Sequence, residues 1–140
     1  MANDDKPDLQ NNPTIVSQPE LVVYFDGGCP LCEREIAFYR KLDHAKKIQW
    51  EDVSNENTTC PIGLDRETLL ARFHVKELAT GKICSGASGF ARLWCSLPGI
   101  WRNLGQIAKL PGVCWLLESG YILTLKIRPW LARHLKHSAR

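Results

Sequence analysis

The sequence contains no run of 18 apolar residues, about the length that a helix needs to cross a lipid bilayer. Its most apolar stretch, residues 113–127, is interrupted by Glu118 and Lys126. The first 19 residues also lack the apolar segment of a secretory signal peptide. We therefore expect a cytoplasmic protein, in which cysteines stay mostly reduced. The six cysteines then do not indicate a disulfide framework.

Neither sign of charge dominates the composition. The chain has 18 Lys and Arg residues against 15 Asp and Glu residues, and a net charge of +3 is too small to indicate a nucleic-acid-binding protein. Acids are missing after Glu118, where the sequence contains Lys126, Arg128, Arg133, Lys136 and Arg140. A basic helix of this kind usually presents a solvated face.

Aromatic residues accompany these cations in the C-terminal part of the chain. They are Trp94, Trp101, Trp115, Tyr121 and Trp130. We expect them mainly to extend the hydrophobic core. The alternative is that Trp130 and its basic neighbours contact a partner or a membrane surface.

A chain of 140 residues is long enough for one domain with its own hydrophobic core. Residues 1–19 are polar, contain three prolines and show no periodicity, so we predict a disordered N-terminal arm. Residues 20–137 are predicted to form a single α/β domain, which includes C-terminal helices from about residue 100.

The hydrophobic pattern predicts a β-α-β-α-β-β-α core with an α-helical C-terminal extension. The predicted strands cover residues 21–25, 48–53 and 73–77 and a return strand that begins at residue 83. The predicted helices cover residues 29–43, a short segment capped by Asp65, residues 86–96 capped by Ser85, and residues 100–110 and 112–135. The first strand-helix-strand crossover requires a parallel pair of strands.

Two cysteines lie where the first predicted strand meets the first helix, in the stretch Asp26-Gly27-Gly28-Cys29-Pro30-Leu31-Cys32. Pro30 suits the first helical position, because the backbone N–H of any residue there lacks a partner within the helix. The absence of this N–H in proline therefore costs no hydrogen bond. Cys29 then occupies the N-cap position, and Cys32 lies one turn further on. We expect Cys29 at an exposed tip and Cys32 pointing toward the core.

This placement predicts a redox-active centre. The thiolate is the reactive form of cysteine, and the partial positive charge of a helix N-terminus favours it. Cys29 would attack a substrate disulfide, and Cys32 would resolve the mixed disulfide. Such a reaction needs no bound cofactor or metal, only the cysteine pair and an external thiol reductant, whose identity the sequence does not reveal.

Asp26 has two interpretations. A charged carboxylate near Cys29 would raise the pKa of that thiol, so Asp26 is better suited to accept a proton from Cys32. Alternatively, it hydrogen-bonds the Gly27-Gly28 turn as an Asx-type cap. The two interpretations are compatible.

Two other functions remain open at this point. Cys-x-x-Cys also occurs in zinc sites, but Cys60, His74, Cys84, Cys95 and Cys114 form no second Cys-x-x-Cys or His-x₃-His spacing. We therefore predict no metal site and keep a zinc-binding structural module as an alternative. The other alternative is a redox-inactive interaction domain.

The stretch from Asp26 to Cys32 resembles the motif of the DCC family of predicted thiol-disulfide oxidoreductases, named for an Asp-Cys-Cys pattern that matches Asp26, Cys29 and Cys32. The resemblance covers about residues 21–135 and continues through Phe73-His74-Val75, Cys84-Ser85-Gly86-Ala87, Phe90 and the Leu-Pro-Gly turns at 97–99 and 110–112. It implies a thioredoxin-like fold and protein-disulfide reductase activity. The implied partner is a disulfide-containing protein or a small thiol substrate.

One departure from related folds concerns the substrate groove. Thioredoxins and glutaredoxins have a cis-proline before the third strand, whereas the corresponding residues 70–74 here contain no proline. His74 is then a candidate to lie near the cysteines. We assign Gly28, Pro30 and His74 as candidate substrate-binding residues, with a strand histidine satisfied by the fold as the structural alternative for His74.

Overall fold

A computed structural model of the protein describes residues 18–138. The arm predicted for residues 1–19 lies outside the described residues, apart from Gln18 and Pro19. The elements follow the predicted order, and their bounds are β1 (Leu21–Phe25), α1 (Pro30–Leu42), β2 (Ile48–Asp52), α2 (Arg66–Ala71), β3 (His74–Glu77), β4 (Ile83–Ser85), α3 (Gly86–Ser96), α4 (Ile100–Ala108) and α5 (Pro111–Ser138).

The four strands form one sheet in the order β2-β1-β3-β4. β1 pairs with β2 in parallel, as the crossover predicted, and with β3 in an antiparallel manner. β3 and β4 form an antiparallel hairpin. This mixed α/β arrangement has the element order that the sequence pattern predicted, and it agrees with the thioredoxin-like fold that the family resemblance implies.

Every residue of β1 is buried, because the strand is covered on both faces. Leu21, Val23 and Phe25 pack in one core with residues of α1 and α3. Val22 and Tyr24 alternate to the opposite face and pack in a second core with Leu69 of α2. The end of β1 is therefore held firmly at the point where the cysteine motif begins.

Helix α5 is fastened to the core by two side chains. The Tyr121 hydroxyl accepts a hydrogen bond of 2.7 Å from the Phe73 amide just before β3. Glu118 forms an ion pair with Arg72 and accepts a hydrogen bond of 2.8 Å from the Ala87 amide at the start of α3. These contacts fix α5 against the sheet and against α3.

Ser85 lies at the predicted N-cap position of α3, but the predicted capping by its side chain is wrong. Ser85 occupies the N-cap position, but its side chain makes no capping hydrogen bond. Glu118 supplies the acceptor instead, and its negative charge suits a helix N-terminus. Only glycine fits at position 86, because its φ of +58° is left-handed and a Cβ would meet Arg72 and Glu118.

The expectation that the C-terminal aromatic residues extend the core is correct for three of them and wrong for two. Trp94 and Trp101 pack against the main core, and Tyr121 contacts Phe90. Trp115 and Trp130, however, are 72% and 54% exposed, because they lie on the side of α5 that faces away from the sheet. Within residues 18–138, no helix combines the length and the apolar character needed to cross a membrane.

The Glu118 contacts predict a pH-dependent contribution to stability. Burial opposes ionisation of Glu118, but the hydrogen bond from Ala87 and the contacts with Arg72 outweigh it and lower its pKa. We expect Glu118→Gln to lower the free energy of unfolding by about 1 kcal/mol at neutral pH. Because the folded-state pKa is the lower one, this difference should disappear as the pH falls through it.

Urea denaturation at several pH values measures this difference. Glu56→Gln, which neutralises an exposed loop carboxylate, is the matched control and should leave the free energy of unfolding nearly unchanged. A Glu118→Gln loss that persisted undiminished in acid would show that the charge of Glu118 is not the cause.

Candidate active site

Two carboxylates shape the turn between β1 and α1. Asp26 Oδ1 accepts a hydrogen bond of 2.9 Å from the Gly28 amide, which is the Asx-type cap considered from the sequence. Asp52 Oδ1, at the end of β2, accepts one of 2.9 Å from the Gly27 amide. A Cβ at position 27 would lie only 2.1 Å from an Asp52 oxygen, so this close approach requires glycine. The turn therefore sets where α1 begins.

Cys29 is the N-cap residue of α1, and Pro30 occupies the first helical position, as predicted. All six cysteines lie within the described residues and have free thiols. The Cys29 sulfur receives hydrogen bonds from the amide and the thiol of Cys32 and from Arg128. Burial opposes ionisation of Cys29, but these bonds outweigh it and hold its pKa below that of an ordinary thiol.

Cys32 has the opposite electrostatic environment. Burial is the largest cause that raises its pKa, to about 12. Its hydrogen bond to Cys29 and the negative charges of Cys29 and Asp26 act in the same direction, while Arg128 opposes them. Cys32 lines a small apolar cavity of about 70 Å³ together with Phe73, Phe90 and Tyr121. The two thiols of the pair are thus strongly unequal, with Cys29 the more acidic.

Cys29 does not lie at an exposed tip, and that expectation is wrong. Its side chain is only 6% exposed because α5 passes over it and places Arg128 beside the sulfur. An open groove of about 430 Å³ nevertheless reaches Cys29. We call it the Cys29 groove, and its lining includes Gly28, Cys29, Pro30, Ala71, Arg128 and Pro129.

Arg128 on α5 joins the parts of this site. Its Nε donates to Cys29 Sγ at 3.3 Å, and its Nη2 donates to Asp26 Oδ2 at 2.6 Å. Its Nη1 lies 3.4 Å from the carbonyl oxygen of Leu70, just before the end of α2. One guanidinium therefore contacts the Asp26 carboxylate, the Cys29 sulfur and one wall of the Cys29 groove.

The sequence model of the DCC1-like thiol-disulfide oxidoreductases matches residues 23–134, which is most of the chain. The protein belongs to the DCC1-like thiol-disulfide oxidoreductase family. No curated protein and no solved structure gives a match. The matched region extends from β1 into the last turns of α5, so it contains both the cysteine pair and Arg128.

The site residues assigned to this DCC1-like protein from its sequence are only partly brought together. Asp26 and Cys29 share the contact with Arg128, and Gly28 and Pro30 line the Cys29 groove. His74 lines neither the groove nor the cavity beside Cys32. It is buried in β3, where its Nδ1–H donates to the carbonyl oxygen of Arg72 at 2.8 Å, and burial lowers its pKa.

Arg128 is the site residue that sequence reasoning missed. It was grouped with the basic C-terminal residues and expected on a solvated face. It lies 99 residues from Cys29 in the chain and belongs to no local motif. The only available signal is its helical position: Tyr121, Leu125 and Arg128 are spaced by four and three residues, so they share the face of α5 that Tyr121 fastens to the core.

No metal centre forms among the residues that the structure describes. Groups of three or more His, Cys, Asp and Glu side chains that could hold a metal ion are absent from this part of the chain. The zinc-module alternative thus finds no ligand set there.

The contact between Arg128 and Cys29 predicts the reactivity of that thiol. We expect Arg128→Gln to raise the pKa of Cys29, because the mutation removes a hydrogen bond and a positive charge from the thiolate. The rate at which iodoacetamide alkylates Cys29 at neutral pH should then fall by up to about tenfold. Mass mapping of the labelled peptides measures this rate for Cys29 alone.

Arg133→Gln is the matched control. Arg133 lies on the same helix but is exposed, and its Nε contacts only the Pro129 carbonyl oxygen among the described contacts. Arg128→Lys should keep part of the wild-type alkylation rate, because lysine retains the positive charge but lacks the forked geometry of the guanidinium. An unchanged rate of Cys29 alkylation in Arg128→Gln would show that Arg128 does not lower the pKa of this thiol.

Proposed function

We propose that the protein is a protein-disulfide reductase in which Cys29 is the nucleophile and Cys32 the resolving thiol. The observation that carries this assignment is the placement of Cys29 at the N-cap of α1, where Arg128 donates a hydrogen bond of 3.3 Å to its sulfur, with Cys32 one helical turn further on. Burial opposes ionisation of both thiols, but at Cys29 the hydrogen bonds outweigh it, so the pKa of Cys29 is lowered and that of Cys32 is raised. The thiol with the lowered pKa supplies thiolate near neutral pH, and the other stays protonated until it is needed. We place the reaction in a reducing compartment such as the cytoplasm, where an external thiol resets the pair.

In the first step, the Cys29 thiolate attacks one sulfur of the substrate disulfide. A bond forms between Cys29 and that sulfur, and the second substrate sulfur leaves as a thiolate that takes up a proton. The Cys29 groove supports an approach from the side on which Gly28 and Pro30 offer no bulky side chain. We assign these two residues to substrate contact. The substrate is a disulfide-containing protein or a small disulfide.

In the second step, Cys32 attacks the Cys29 sulfur of the mixed disulfide. Once Cys29 is bonded to substrate it has no negative charge, so two causes that raise the Cys32 pKa are removed while the opposing effect of Arg128 remains. The Cys32 proton is lost, with Asp26 as our candidate acceptor. The Cys29–Cys32 disulfide forms and the second substrate thiol departs. The substrate has gained two electrons from the cysteine pair, and the external thiol later supplies two electrons that reduce the Cys29–Cys32 disulfide.

His74 has no step in this scheme. Its ring is buried and bonded to the Arg72 carbonyl oxygen, which supports a structural role at the start of β3. We therefore propose that it supports the fold and does not bind substrate.

Single cysteine substitutions test the two roles. With insulin as the disulfide substrate and dithiothreitol as the reductant, Cys29→Ser should reduce the rate to the uncatalysed background, because the nucleophile is lost. Cys32→Ser should accumulate a mixed disulfide that contains Cys29, because the resolving thiol is lost. Mass spectrometry of the trapped species identifies the bonded cysteine.

Cys60→Ser and Cys114→Ser are the matched controls, since these thiols lie outside the site and neither lines the Cys29 groove. Both should keep the wild-type rate. Full activity in Cys29→Ser would contradict the proposed roles. A substrate mixed disulfide that contains Cys32 instead of Cys29 in the wild-type protein would contradict them as well.

A further inference from the structure

The outward side of α5 is apolar along most of its length. The exposed large apolar side chains of α5 are Trp115, Leu116, Ile122, Leu123, Ile127 and Trp130. Leu116, Leu123, Ile127 and Trp130 are separated by seven, four and three residues, so they share one face of the helix. The opposite face holds Tyr121 and Arg128, which contact the core and the cysteine site.

Helix α4, which precedes α5, also exposes large apolar side chains. Ile100, Leu104 and Ile107 are exposed at helical spacing, and Leu110 is exposed in the connection to α5. Of the large apolar side chains that are exposed in the described chain, only Phe38, Ile62 and Leu78 lie outside α4, α5 and their connection. We call this surface the α4–α5 face. Exposed apolar side chains concentrated in this way indicate an interaction surface and not scattered exposure.

The charges on this part of the chain have one sign. After Glu77 the sequence contains a single acid, Glu118, whose carboxylate is occupied by Arg72 and by the start of α3. The exposed cations of α4, α5 and their connection, within the residues whose exposure is described, are Arg102, Lys109, Lys126 and Arg133. A partner of this face must therefore offer both apolar volume and negative charge.

A second copy of the chain does not meet that requirement. Pairing two α4–α5 faces would place Lys126 and Arg133 against a surface that carries further cations and no acid, so the charges would repel. A bilayer with anionic headgroups offers negative charge at its surface and apolar chains just below it. Trp115 and Trp130 lie about 22 Å apart along α5, and tryptophan prefers the headgroup level.

We propose that the α4–α5 face binds the surface of a bilayer that contains anionic lipids, with the axis of α5 lying in the membrane plane. The helix must adopt this orientation because its inward face packs against the core, so only its outward face can contact lipid. The α5 residues that line the Cys29 groove are not among the exposed large apolar residues of the α4–α5 face; they are Leu125, Arg128, Pro129 and Ala132. The proposal does not depend on the redox function.

Sedimentation of the purified full-length protein with vesicles tests this surface. We expect binding to vesicles of phosphatidylcholine mixed with phosphatidylglycerol, and much weaker binding to phosphatidylcholine alone. The double variant Lys126→Gln/Arg133→Gln should weaken binding to the mixed vesicles by about tenfold or more. The double variant Leu123→Ser/Trp130→Ser should weaken it by about tenfold or more through loss of apolar contact.

Each double variant has a matched control on another part of the surface. Arg34→Gln/Lys41→Gln removes two exposed cations from α1, and Ile62→Ser removes a fully exposed apolar side chain from a loop. Both controls should bind like the wild type. All variants should keep the wild-type alkylation profile of Cys29, which verifies that the site is folded.

Three results would overturn the proposal. The first is no binding to either kind of vesicle, which would leave an acidic protein as the remaining partner for the face. The second is binding that the controls weaken as much as the face variants do. The third is a dimer in sedimentation velocity that Leu123→Ser/Trp130→Ser dissociates, because the face would then be an interface between two copies.

Discussion

The Arg128 guanidinium lies between the Asp26 carboxylate and the Cys29 sulfur, and the chemistry of the site depends on this contact. A charged carboxylate near a thiol ordinarily raises the pKa of that thiol and suppresses the thiolate. The ion pair offsets the charge of Asp26, so that Asp26 can cap the Gly27-Gly28 turn without penalising Cys29. The guanidinium also donates directly to the sulfur and opposes the rise in the Cys32 pKa. One side chain thus supports both the shape of the turn and the inequality of the two thiols.

The position of Arg128 in turn depends on how α5 is held. Tyr121 and Glu118 attach α5 to the residues before β3 and to the start of α3. Because these anchors lie two and three helical turns before Arg128 on the same face, they set the register at which the guanidinium meets Cys29. The C-terminal helix therefore contributes to the candidate active site and also extends a thioredoxin-like core. The inner face of α5 contacts the core and the cysteine site, whereas its outer face is largely apolar and exposed.

Local signals made much of the fold predictable from the sequence. The buried run before Gly27 and Gly28, the proline at position 30 and the Asp65 cap each act within a few residues, and the structure has β1, α1 and α2 where these signals place them. The features that were missed depend on residues far apart in the chain. No local sequence pattern indicates that Arg128 contacts Cys29, or that Glu118 instead of Ser85 accepts the hydrogen bond at the start of α3. The exposure of Trp115 and Trp130 was missed because α5 is apolar on both sides, so its composition did not indicate which side packs inward.

The most direct measurement is a pH titration of the reduced wild-type protein in which each cysteine is followed separately by its ¹³Cβ chemical shift. The account predicts that Cys29 titrates first, below the pKa of an ordinary thiol, and that Cys32 titrates much later, with a pKa of about 12. A titration in which the two thiols ionise together near the ordinary value, or in which Cys32 ionises first, would contradict it.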